Sequence, residues 1–380
     1  PETKIGKLVG WNAEEFIKGT PKTYTFNRDN KKEVMLNDGE LRELFNDNKV
    51  SVSSNGVLYK NDKRGLIPAI LEKWFDDRTE YKQLMKKFSD EGDKDKYEYF
   101  KRRQHIQKIV LNSLYGVLGL PVFRFYDVDN AEAVTTVGQK LIKFTEKMVN
   151  FYYNKELDDN KDHVTYCDTD SVFCSAVPLV KHRNPNFNIN DNEYMTKKVL
   201  SVATEVQDFL NKSYDMFAKN FLNIDDHRFN IKQEVISRAS FWVTKKRYGQ
   251  WIINDGGVEC NRLDVKGLDI VRSSFPPAFR DLMIGVLKDI LNNEKKENID
   301  KMIMDFKKSM KTLPIEDIAL PIGVKGIDKY SSKGNGKFTV TKKGAPVHVK
   351  ASIKYNDMLR LFGLTNKYRV VRNRDKIKWV

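Results

Sequence analysis

Across 380 residues the chain carries 67 Lys and Arg against 52 Asp and Glu, a net charge of +15, and 40% of its residues are hydrophobic. That apolar fraction excludes wholesale disorder, and the length suits two or three subdomains rather than one small core. No uncharged apolar run approaches 18 residues, which excludes a helical membrane span, and the basic excess points first to nucleic acid as partner. Solubility alone would also account for a basic balance, so the motifs must decide.

Residues 1–65 read as short strands and turns. "SSNGVLYKNDKRG" (Ser53–Gly65) sets an Asn-Gly pair between extended segments, a hairpin signal. From Pro68 the spacing turns helical through "AILEKWFDDRTEYKQLMKKF", and the polar stretch "SDEGDKDK" separates it from a second helix, "YEYFKRRQHIQKIVLNSLYG", ending at Gly116. Two helices of similar length joined by a charged loop predict an antiparallel helical hairpin. After Pro121 the expected order is a strand over "VFRFYDV", a helix over about 131–154, and a strand–turn–strand over "HVTYCDTDSVFCSAV" (His163–Val177). A helix near 193–220 follows, then strands through "FWVTKKRYGQWII", then a helical pattern from about 270 to the end. A sheet backed by helices, with helical lobes on either side, is an α+β plan. Pro1 stands where a methionine would begin a chain, and "DKIKWV" stops inside an apolar pattern, so both ends read as cut from something longer.

Cysteines at 167, 174 and 260 are too few and too odd in number for a disulfide framework; buried free thiols in a reducing compartment are expected, although Cys167 and Cys174 fall on the two arms of one hairpin. Histidines at 105, 163, 182, 227 and 348 have no metal-ligand spacing. The oxygen-rich feature is Asp168-Thr169-Asp170. On extended backbone the two aspartates would project to one side roughly 6–7 Å apart, and closer if a turn pinches them. Converging carboxylates repel unless a cation lies between them, and their oxygens suit Mg²⁺. Asp and Ser are also ordinary turn formers, which is the commoner meaning of such a triplet.

On the second helix Lys108, Asn112 and Tyr115 share one face, extended by Lys101 and Gln104 and bordered by Ile109, Val110, Leu111 and Leu114. A lysine and an asparagine among apolar neighbours would be costly as core but suit a triphosphate and a base or sugar. Arg78 and Lys82, four apart on the first helix, would join them if the helices pair; alone they read as a solvated face. In "TKKRYGQW" (Thr244–Trp251) strand alternation would send Lys245 and Arg247 to one side and Lys246 and Tyr248 to the other, suiting phosphates with sugar or base contacts. Glu234 is an acidic residue in an apolar strand, a third carboxylate or a salt-bridge partner.

These pieces, in this order, resemble family B DNA polymerases, most closely the replicative enzymes of large tailed bacteriophages. "YCDTDSVF" is similar to motif C, "KIVLNSLYG" to motif B, "TKKRYG" to the primer-gripping Lys-Lys-Arg-Tyr motif, and "DDRTEYK" to the other fingers helix. "PETKIG" resembles the segment after motif A, and "GAPVHVKASIKYN" (Gly344–Asn356) the phage-type thumb. The resemblance implies a right-hand architecture: palm over 1–65 and 122–269 with an antiparallel sheet, fingers over 66–121, and an incomplete, mostly helical thumb over 270–380. It implies two Mg²⁺ ions, with Mn²⁺ as substitute, on Asp168 and Asp170, Asp170 being the firmer ligand and Glu234 a weak accessory. Arg78, Lys82 and Lys108 become contacts to the phosphates of the incoming dNTP, with Asn112 beside it and Tyr115 beneath its sugar and base. Lys245, Lys246, Arg247 and Tyr248 become contacts to primer–template DNA.

The implied activity is DNA-directed DNA polymerase, a two-metal nucleotidyl transfer to a primer 3′-hydroxyl, set in the cytoplasm or, for a viral chain, the host cytoplasm. The family's motif A pattern, Asp-x-x-Ser-Leu-Tyr-Pro, does not occur in these residues. The expectation is therefore a fragment or one half of a split polymerase. It would be nearly inactive alone, with motif A and the absent exonuclease domain supplied by a second chain or further N-terminal residues; a sliding clamp is a candidate partner. The alternative is a non-catalytic DNA-binding or scaffold module derived from a polymerase. A reverse transcriptase or other palm enzyme has only the aspartates in its favour.

Overall fold

A computed structural model of the chain describes residues 3–28, 31–46, 49–186, 188–189, 191–332, 334 and 338–379. The fold is mixed α+β, with antiparallel sheets and several long helices, and it divides into two compact units, Pro1–Gln233 and Glu234–Val380.

The first unit begins with a five-stranded antiparallel sheet in the order β3-β2-β1-β5-β4, built from β1 (Lys4–Val9), β2 (Thr23–Arg28), β3 (Lys31–Asn37), β4 (Val50–Val52) and β5 (Val57–Lys60). The Asn55-Gly56 turn joins β4 to β5, with Gly56 at φ 86° and Val52 opposite Leu58. Two short helices, α1 (Ala13–Ile17) and α2 (Asp38–Asn46), bring Phe16, Leu41 and Phe45 against Trp11 and the buried strand residues Leu8, Tyr24, Val50 and Leu58. Helix α2 starts on a reciprocal cap: Asn37 Oδ1 accepts from the Glu40 amide at 3.0 Å and Glu40 Oε2 from the Asn37 amide at 2.8 Å.

The helical hairpin follows as α3 (Leu66–Asp90) and α4 (Lys94–Leu118). Pro68 is tolerated because the first-turn amides have no intrahelical partner. Gly92 at φ 73° makes the reversal, and Asp93 caps α4 by accepting from the Lys96 amide at 3.1 Å. Helix α5 (Val128–Leu157) is capped by Asp127, which accepts from the Asn130 amide. It packs with α6 (Val177–Arg183) and α7 (Asn192–Phe217) around a core of Val149, Tyr153, Leu179, Val206 and Leu210. The hairpin of β6 (Val164–Asp168) and β7 (Ser171–Cys174) leans on this core through Val164 and Val172.

The second unit opens with a three-stranded antiparallel meander, β8 (Val235–Thr244), β9 (Arg247–Asp255) and β10 (Val258–Lys266). Helix α8 (Pro277–Leu291) covers it so closely that a Cβ on Gly249 would lie 2.8 Å from the Leu287 side chain. After α9 (Lys296–Ser309) and α10 (Ile315–Ile318), β11 (Leu320–Gly323) pairs with the distant β14 (Lys376–Trp379). Between them lie α11 (Ile327–Tyr330), a two-residue pairing of β12 (Ser331–Ser332) with β13 (Val340–Thr341), and α12 (Val347–Leu361), which buries Val349 and Ile353 against Val324.

Three expectations need correction. The run Val122–Val128 is not a strand: the Phe123 amide bonds to Leu120 O and the Tyr126 amide to Phe123 O, two successive turns that deliver Asp127 as the cap of α5. The tail from 270 is not helical throughout, since β11 to β14 interrupt it with pairings too distant in sequence to show in local periodicity. The cysteines are free but none is buried, Cys174 being exposed and Cys167 and Cys260 half-buried. No helix among the described residues is long and apolar enough to cross a membrane.

Candidate functional site

The β6–β7 hairpin ends in a tight turn. Asp168 pairs with Ser171, leaving Thr169 and Asp170 as the loop, and the Asp170 amide returns to Asp168 O at 2.7 Å. That bond closes a γ-turn around Thr169, whose φ is 55°. Positive φ is unusual for a β-branched residue and marks stored strain. Ser171 Oγ donates to the same Asp168 carbonyl at 3.1 Å. Asp168 is half-buried and Asp170 exposed.

Side-chain donors settle the Asp168 carboxylate. Tyr166 Oη donates to Oδ2 at 3.2 Å and Thr169 Oγ1 to Oδ1 at 3.0 Å. Strand alternation explains the first contact: Tyr166 and Asp168 are two apart on β6 and share a face with Phe173, whose ring lies 5.8 Å from that of Tyr166. The base of the hairpin is anchored to the C-terminal half of α5. His163 stacks near Tyr153 at 5.1 Å, its amide donates to Asn150 Oδ1 at 2.8 Å, and Tyr153 Oη donates to Cys174 Sγ at 3.5 Å. Burial pushes the Tyr153 phenol well above its ordinary range, so it stays a neutral donor.

On α3 and α4 the register is set by Phe88 stacked on Phe100 at 5.5 Å and by the Arg103 guanidinium over Tyr81 at 5.2 Å. Arg78 is half-buried, and its Nε has no hydrogen-bond partner among the described residues; Lys82 is exposed. Lys108, Asn112 and Tyr115 form an exposed stripe, while Gln104, Gln107, Leu111 and Leu114 are half-buried. The stripe is thus not embedded in apolar core, and Ile109 beside it is itself exposed. Helix α5 touches both α4 and the β6–β7 hairpin, so one helix backs both sets of residues.

In the second unit Lys245 and Lys246 are not strand residues. They form the two-residue turn between Thr244 and Arg247, with Lys246 at φ 62°, so the expected alternation begins only at Arg247. Tyr248 stacks across the strands on Trp242, centroids 4.5 Å apart, and Arg247 Nη2 donates to Asp269 Oδ2 at 3.1 Å. Chain leaving β10 crosses close behind this turn at Gly267 (φ 65°), where a Cβ would lie 2.0 Å from Lys246 O. Glu234 is exposed just ahead of β8, its carbonyl accepting from the Gly256 amide at 2.6 Å.

Reading by spacing missed Tyr166, Thr169, Gly267 and Asp269. Period two pointed to Tyr166 if counted backwards from Asp168; nothing local pointed to Gly267. The donor set at the turn is carboxylate oxygen, which fits Mg²⁺ in kind. Among the described residues no three His, Cys, Asp or Glu side chains cluster, so Asp168 and Asp170 provide only part of a coordination sphere.

Comparison with known proteins gives one family. A model described as DNA polymerase family B matches residues 20–361. The DNA-directed DNA polymerase of Enterobacteria phage T4 is 27% identical over 263 residues, covering 66% of this chain and 28% of that protein. Its counterpart in Escherichia phage RB69 is 25% identical over 369 residues, covering 82% of this chain and 40% of that protein. The DNA polymerase of Paramecium bursaria Chlorella virus NY2A is 30% identical over 267 residues, 68% of this chain and 24% of that protein. The chain therefore spans about a quarter to two-fifths of the length of these relatives.

Proposed function

Because the chain belongs to DNA polymerase family B, we propose that it takes part in template-directed transfer of a deoxynucleoside monophosphate from a dNTP to a primer 3′-hydroxyl, with release of pyrophosphate. The observation that carries this reading is the Asp168-Thr169-Asp170 turn, strained at Thr169 and with Asp170 exposed, at the tip of a hairpin whose base is anchored on α5. On this reading residues 66–121 are the fingers, 1–65 and 122–269 the palm, and 270–380 part of the thumb.

Asp168 and Asp170 would hold Mg²⁺. When bound, the metal supplies Lewis-acid stabilisation of the attacking and leaving oxygens. Arg78, Lys82 and Lys108 would neutralise the triphosphate tail, and an Arg78 Nε without a hydrogen-bond partner among the described residues supports that role. Asn112 and Tyr115 would face the incoming sugar and base, and Lys246 and Tyr248 the primer strand, with Lys245 and Arg247 beside them. Glu234 has the weakest claim. The motif A pattern is absent from the 380 residues, so the reading requires a third carboxylate from elsewhere, on further residues of one polypeptide or on a second chain.

The test is primer extension with the chain alone and with a motif A-bearing palm segment added. The expected result is Mg²⁺-dependent extension on a DNA template only in the mixture, falling to background with Asp168→Asn or Asp170→Asn. Salt-sensitive DNA binding without extension in the mixture would replace the reading with that of a non-catalytic DNA-binding module. Preference for an RNA template would make it a reverse transcriptase.

A further inference from the structure

The second unit contains a cleft of about 440 Å³ between its meander, helix α8 and the short helical turn at 269–271. Helix α8 packs on β8 and β9, with Leu287 against Gly249, and leaves Leu263 and Val265 of β10 half-buried. Alternation puts those two on one face of β10, and a spacing of four puts Ile284 and Lys288 on one side of α8. Trp251 and Ile270 complete the walls.

The polar groups of the lining are all donors in need of an acceptor. Trp251 Nε1 can only donate, and it does so to Asn261 Oδ1. That bond fixes which end of the Asn261 amide is the nitrogen, and Nδ2 has no partner among the described residues. The Lys288 ammonium likewise has no hydrogen bond or ion pair among the described residues and is exposed. None of the residues lining the cleft is acidic, and the Arg238 guanidinium over the Trp251 ring, at 4.3 Å, adds positive charge nearby.

We propose that this cleft binds a small aromatic carboxylate, its ring on the apolar walls beside Trp251 and its carboxylate on Lys288, with Asn261 Nδ2 as a second donor. One ammonium and one amide match a singly charged group; a phosphate monoester ordinarily gathers more donors. The volume falls in the range usual for small-ligand sites, about 300–1,000 Å³. Val271 at the mouth is exposed, so part of the ligand stays in water and the dissociation constant should be about millimolar. An exposed ion pair contributes up to about fivefold in affinity, which sets the discrimination to look for. Nothing in the proposal depends on the metal reading of the β6–β7 turn.

The experiment records methyl NMR spectra of the full 380-residue chain, labelled at Ile, Leu and Val, during titration with naphthoate and with its neutral counterpart naphthamide. Saturable shifts are expected at Leu263, Val265, Ile270 and Ile284, with naphthoate binding about three- to fivefold more tightly than naphthamide. Lys288→Met should abolish that difference while leaving the melting temperature unchanged. Val271→Trp, a surface substitution that fills the mouth, should remove binding of both compounds. Equal affinity for the two compounds, a Lys288→Met chain that still prefers naphthoate, or shifts scattered over the molecule would overturn the proposal. So would cleft shifts that follow protein concentration or an added single-stranded oligonucleotide but not naphthoate, because the occupant would then be a second copy or nucleic acid.

Discussion

Two hairpin turns, one in each compact unit, hold a non-glycine residue at positive φ: Thr169 at 55° and Lys246 at 62°. The first is held from within. Its own hydroxyl, the Ser171 hydroxyl and the Asp170 amide all bond to Asp168, so local bonds close the turn. The second is held from outside, by Gly267 crossing within touching distance of Lys246 O and by Asp269 pairing with Arg247. A turn closed by local bonds can be altered for chemistry without disturbing its surroundings, whereas a turn closed by a distant segment inherits every change in that segment.

The sharpest way to break this comparison is Gly267→Ala. A left-handed alanine costs about 1–2 kcal/mol, and the overlap with Lys246 O adds to it. Thermal unfolding should show a loss of about 2 kcal/mol or more, with DNA affinity falling alongside. Full tolerance would mean that the β8–β9 turn does not depend on its remote buttress.

Glycine at the strained positions themselves should act the other way. Relief of a left-handed residue, offset by the greater freedom of glycine in the unfolded chain, predicts that Thr169→Gly and Lys246→Gly each stabilise by about 0.5–1 kcal/mol. Calorimetry on the two variants checks this. Destabilisation by Thr169→Gly would show that its hydroxyl bonds outweigh the strain.

The smallest effect distinguishes how the first unit is tied together. Lys4 and Lys7 on β1 pair with Asp127, Asp129 and Glu132 at the start of α5, at 2.9–3.2 Å. Burial pushes the Asp129 carboxyl up, but hydrogen bonds from Lys7 and Lys4 outweigh it and hold the group below its ordinary range; Asn55 and Lys7 do the same for Glu132. Carboxylates depressed in the folded state stabilise above their unfolded pKa and lose that contribution as pH falls through the folded one. Stability should therefore decline from about pH 4 downward, by about 1 kcal/mol or less because the pairs are partly exposed and screened. Lys7→Met should flatten that part of the pH profile; an unchanged profile would show that the network contributes nothing.

Much of the molecule was legible from residue order alone. Helical spacing located α3, α4, α5 and α7 to within a few residues, and Asn55-Gly56 announced its hairpin. The aromatic run after Pro121 misled because alternation is a property of side chains, while the backbone there bonds in turns. Strands β11 and β14 were missed because each is four residues long and meets its partner only after the chain has folded around α12. At the site, Asp168 and Asp170 stood out as a pair, but the strand ends at Asp168, so alternation runs back to Tyr166 instead of forward to Asp170.

Residue order by itself determined the α+β plan, the helical hairpin, the basic character and the acidic turn, because each follows from bonds and periodicities spanning a few residues. Tertiary structure alone decided that Gly267 must lack a side chain and that Arg247 faces Asp269. Those depend on which backbone segments approach one another, and such proximity is set by packing and pairing between segments, not by neighbours along the chain.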